Sequence, residues 1–144
     1  MKYLNVCIVL FALTCSAFFM TSCEKTEVKG SITFTGKIEV SPSVAKVGDE
    51  VTFSIDNSFS IGGVMVNYEN STVINGKEVV KSVVYYIDDT EITESTDSKN
   101  DYVATYKVSG LAVGIHSVTA HCKSNFKDVE IKESIAVGTL TIEE

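Results

Sequence analysis

From Ser31 to the end of the chain the hydrophobic period is two, and no stretch carries a convincing helical stripe. Val51, Phe53 and Ile55 point one way while Thr52, Ser54 and Asp56 point the other. Such alternation belongs to a strand with one face buried, because successive side chains of a strand leave on opposite sides. Ile32 and Phe34, then Ile38 and Val40, read alike, with Ser41-Pro42-Ser43 as a break where proline cannot supply a ladder donor. Val47-Gly48-Asp49-Glu50 reads as a turn.

The stretch from 57 to 76 departs from this rhythm. Asn57-Ser58 and Gly62-Gly63 read as loops, and Val64-Met65-Val66 as an extra strand. Asn75-Gly76 lies between Thr72-Val73-Ile74 and Lys77-Glu78-Val79-Val80, the local signature of a two-residue hairpin. The sequence thus predicts an inserted hairpin near 57–76, with a strand at 70–74 pairing to the next one. That next strand, Glu78 to Ile87, is expected at the centre of the domain. Val83, Tyr85 and Ile87 share its core face, with Ser82, Val84 and Tyr86 opposite. Further strands follow at Thr90 to Glu94, Tyr102 to Val108 and Ile115 to Lys123. Near the C-terminus Ile135 and Val137 change parity relative to Leu140 and Ile142, which predicts a bulge at Gly138. Short strands at this spacing, joined by turns, argue an all-β sandwich of about seven to nine antiparallel strands.

The N-terminus is of another kind. Lys2 precedes an apolar run from about Val6 to Met20, too short for a comfortable membrane span. Met20-Thr21-Ser22-Cys23 closes it. These are the parts of an export signal, and the closing four residues resemble the lipobox of bacterial lipoproteins. That resemblance implies cleavage before Cys23 and diacylglyceryl transfer to its thiol, so residues 1–22 are signal peptide. Residues 23–30 then form a polar, flexible tether, and 31–144 the folded domain. The resemblance further implies attachment to a membrane through the lipid, at the outer membrane of the cell envelope. In bacteroidete-type lipoproteins acidic residues after the cysteine accompany surface export. Glu24 and Glu27 are compatible with that, and the choice between periplasmic and surface face stays open.

The chain of 144 residues, less its signal, suffices for one domain. Its cysteines are Cys7, Cys15, Cys23 and Cys122. With two in the signal and one lipidated, Cys122 is left as a lone buried thiol and no disulfide framework is expected. A net charge of −7 argues against nucleic acid as a partner.

The order of elements resembles bacterial immunoglobulin-like domains, including those appended to polysaccharide-processing proteins. The residues carrying this are Val47 to Phe53, Val83-Val84-Tyr85-Tyr86-Ile87-Asp88-Asp89, Tyr102 to Tyr106 and Leu111 to Ala120. The resemblance implies an immunoglobulin-like sandwich. It also puts His116 where such folds keep a corner tyrosine, so a ring tied to nearby backbone is expected there. His121 is expected to face solvent.

No Ser-His-Asp order, phosphate loop or paired catalytic acids occur at usable spacing, so the sequence reads as a non-enzyme without a cofactor. Asp88, Asp89 and Asp97 fall in adjoining loops and are the candidate calcium ligands, as hard oxygen donors. Tyr68, Tyr86 and Phe126 are the aromatics left over by core parity. They are the candidate ligand-binding surface for a glycan, and Val84 with Tyr86 offers a protein-binding patch. The expected function is a membrane-anchored, non-catalytic binding or interaction module of the envelope, whose partner is a glycan or another envelope protein. The alternative is a structural or assembly subunit that contacts a partner through a strand edge or the 57–76 insertion.

Overall fold

The computed structural model describes residues 28–66, with side chains up to residue 60 in that stretch, and residues 76–144. The strands are β1 (Val28–Ser41), β2 (Val44–Lys46), β3 (Glu50–Val66), β4 (Val80–Ile87), β5 (Thr90–Ser95), β6 (Ala104–Lys107), β7 (Gly114–Ser124), β8 (Asp128–Ala136) and β9 (Gly138–Glu143). A single helical turn, α1 (Gly76–Val79), leads into β4. They form a four-stranded sheet in the order β6-β3-β1-β8 and a five-stranded sheet in the order β2-β9-β7-β4-β5. The fold is an immunoglobulin-like β-sandwich.

The core lies between the sheets and follows the alternation of the sequence. Ile32, Phe34 and Ile38 come from β1, Val51, Phe53 and Ile55 from β3, Val83, Tyr85 and Ile87 from β4, and Leu140 and Ile142 from β9; all are buried. Phe53 stacks on Tyr85 with ring centroids 5.4 Å apart and on Tyr106 at 6.5 Å. Each such aromatic contributes about 1.5–3 kcal/mol by leaving water. The buried Tyr85 hydroxyl donates to the Tyr102 carbonyl at 2.8 Å, so the polar tip is paired as well. Gly36 interrupts the inward series of β1 for a steric reason. A Cβ there would stand 2.5 Å from Cγ2 of Ile55.

Several sequence expectations are corrected. The strands are not all antiparallel, since β1 runs parallel to β8 and β2 parallel to β9. Parallel neighbours need a long crossover, and here the whole intervening chain supplies it. Asn57-Ser58 and Gly62-Gly63 are not loops. β3 passes through both, because β1 offers it a continuous antiparallel ladder from Ser41↔Thr52 to Val28↔Val66. The glycine pair is absorbed where the register slips between Lys29↔Met65 and Ser31↔Gly62, leaving one extra residue on β3. Lys77 to Val79 are helical rather than extended, so β4 starts at Val80. At the start of this turn stands Gly76, where a Cβ would lie 2.7 Å from Phe59. That glycine serves a close packing contact. The rest of the expected hairpin, including the strand at 70–74, lies outside the described residues.

β4 is a largely buried inner strand of the five-stranded sheet, between β7 and β5, with β7 as the middle strand. The parity change near the C-terminus is a change of sheet rather than a bulge within one strand. β8 pairs with β1, β9 pairs with β7, and Val137 between them is 63% exposed instead of facing the core.

Candidate functional site

The best-defined polar site is the corner where the β4–β5 turn meets β7. Ile87 pairs with Thr90, so Asp88 and Asp89 alone make the turn. Both have positive φ, 45° and 63°, as a type I′ turn requires. Aspartate tolerates that region better than most residues. The turn is stitched to β7 twice. The Asp88 amide donates to the Ser117 carbonyl, and the Ser117 amide donates back to the Asp88 carboxylate, both at 3.0 Å.

The second carboxylate oxygen of Asp88 lies 2.5 Å from Nδ1 of His116, whose Nε2 lies 2.8 Å from the Ala112 carbonyl. The ring is thus tied to backbone four residues upstream, as expected of a corner residue. The aspartate partner was not foreseen. Both ring nitrogens face acceptors that have no proton to give, so the geometry calls for a doubly protonated imidazolium. Accordingly the His116 pKa is raised, first by the bond to Asp88 and then by that to Ala112. The Asp88 pKa is lowered, first by His116 and then by the Ser117 amide.

The calcium candidates do not assemble. Asp88 is engaged by His116 and Ser117. Asp97 lies beyond the far end of β5, about 20 Å along the strand from Asp89 at strand rise. Its carboxylate accepts from the Lys99 amide at 3.2 Å and from the Asn100 side chain at 2.5 Å. Among the described residues no three His, Cys, Asp or Glu side chains converge to hold a metal ion. The carboxylates that sequence proximity grouped are kept apart by the strand between them.

Of the candidate aromatic surface, Tyr86 and Phe126 lie apart. Tyr68 lies outside the described residues. Phe126 is half-buried against the core, beside the Asn125 amide that donates to the Val79 carbonyl at 2.8 Å. Tyr86 sits at the other end of β4, opposite Thr119 and about 20 Å away. It meets His121 edge to face at 5.2 Å. The patch around Val84 is closed as well. Val84 is 0% exposed, with His121 on one side and Glu94 on the other. The Glu94 carboxylate takes the Ser82 hydroxyl and the Lys123 ammonium, the latter at 3.0 Å, and so reaches across β4 from β5 to β7.

His121 is exposed as expected and pairs with Glu133 of β8 at 2.9 Å. Glu133 also accepts from the Cys122 amide, on the flank of β7 turned away from β4. One carboxylate therefore joins the two sheets across their open side, next to a cleft of about 260 Å³ lined by Ile38, Ala120, His121 and Ile135. Cys122 is half-buried and packs against the core. Burial, and then the Glu133 carboxylate, push its thiol far above the ordinary range, which suppresses the reactive thiolate.

A different feature distinguishes β3. β6 covers its flank only from Glu50 to Phe53, and the Ile55 amide makes one more bond there, to the Asp101 carbonyl at 2.8 Å. From Asp56 to Val66 that flank has no strand partner among the described residues.

No protein-family model matches the chain, and no curated protein matches it. Among solved structures, the fibronectin(III)-like modules of Clostridium thermocellum CbhA are similar to it at 12% sequence identity and a TM-score of 0.44. The likeness covers 77% of this chain and 46% of that one, so this chain spans under half of that chain's length.

Proposed function

We infer that this protein is a lipid-anchored, non-catalytic binding or interaction module of the cell envelope. The observation that carries the reading is the order of its parts. Met20-Thr21-Ser22-Cys23 ends an export signal, a short polar tether follows, and then comes one immunoglobulin-like sandwich. A diacylated cysteine contributes about 0.8 kcal/mol for each methylene it buries, and two chains hold a protein stably at a membrane. The acidic chain needs such an anchor, since its net charge of −7 is repelled by anionic lipid. In Cys23→Ala, labelling by radioactive fatty acid is lost and the protein moves from the detergent phase to the aqueous phase. Labelling that persists in Cys23→Ala contradicts the reading.

Between a glycan surface and a strand-edge contact, the flank of β3 beyond Asp56, which has no strand partner among the described residues, favours the second. Unsatisfied backbone groups along a strand are a template for another strand. The aromatics that a stacking glycan site needs are divided between the two ends of β4. The function supported best is therefore that of an envelope module that engages protein through a strand edge.

A further inference from the structure

We draw no further inference here: the strongest candidate, the cleft of about 260 Å³ between β7 and β8 lined by Ile38, Asp89, His121, Glu133 and Ile135, carries nothing, because Glu133 is already engaged by His121 and the Cys122 amide and nothing in the structure shows what covers the rest.

Discussion

His116 and Asp88 show how one residue pair can tie two segments that are distant in sequence. The imidazole holds the Ala112 carbonyl, the carboxylate holds the Ser117 amide, and the short bond between them closes the corner. The raised His116 pKa means that its contribution is complete below its ordinary value of 6.5 and is lost as pH rises through the higher folded value. The lowered Asp88 pKa means that its contribution is complete above 3.8 and is lost as pH falls through the lower folded value. The pair therefore stabilises most between those ordinary values. Thermal midpoints of the wild type should fall from pH 6 to pH 9, and Asp88→Asn should flatten that slope while keeping an acceptor for the Ser117 amide. An equal slope in the variant would contradict the assignment.

Two core tyrosines give a second contrast at this scale. The Tyr85 hydroxyl donates to the Tyr102 carbonyl, whereas the buried Tyr102 hydroxyl has no partner among the described residues. Desolvation accordingly pushes Tyr102 up to about 12. Tyr85→Phe should cost about 1–3 kcal/mol, because it strands a buried carbonyl. Tyr102→Phe removes an unpaired group and should be neutral or stabilising. Chemical denaturation of both variants decides this, and equal losses would show that hydrogen bonding is not what separates them.

At the scale of elements, parity was legible and continuity was not. Val51, Phe53 and Ile55 marked the inner face of β3 through alternation alone, since a strand with one buried face must alternate. Asn57-Ser58 and Gly62-Gly63 carried loop propensity that the ladder with β1 overrides, because backbone pairing over so long a stretch outweighs local preference. Val84 could not be read as buried, since its parity matches the outer face and the Glu94 and Lys123 side chains close over β4 from neighbouring strands. The bond between His116 and Asp88 was hidden for a related reason. Only the register that sets Ile87 opposite Val118 brings the turn to β7.

Gly76 illustrates how a correct residue can be given the wrong role. A turn glycine and a packing glycine look alike in a sequence, but a side chain is opposed by backbone conformation in the first and by a neighbouring group in the second. Gly76→Val should destabilise by about 1–3 kcal/mol through overlap with Phe59. Phe59→Leu in the same chain should recover part of that loss. A Gly76→Val protein as stable as the wild type in urea would contradict the packing role.

For the molecule as a whole, the sandwich was legible from period and turn spacing. The split of its termini between sheets was not. β1 and β2 at one end of the chain, and β8 and β9 at the other, each divide between the two layers, and their parallel contacts bind first strands to last. Long-range pairing of this kind leaves no local mark. The separation of candidate ligand residues was hidden for a similar reason. Asp88 and Asp97, or Tyr86 and Phe126, are near in sequence or alike in parity, yet a strand length separates them. That β3 beyond Asp56 has no second strand partner among the described residues emerged only once its neighbours were known.

The account as a whole depends on this domain being held at a membrane by Cys23. The most direct measurement is the intact mass and N-terminal peptide of the mature protein extracted from cell envelopes. The account predicts a chain beginning at Cys23 and carrying a diacylglyceryl group on its thiol. A mature chain that begins elsewhere, or an unmodified Cys23, would contradict it.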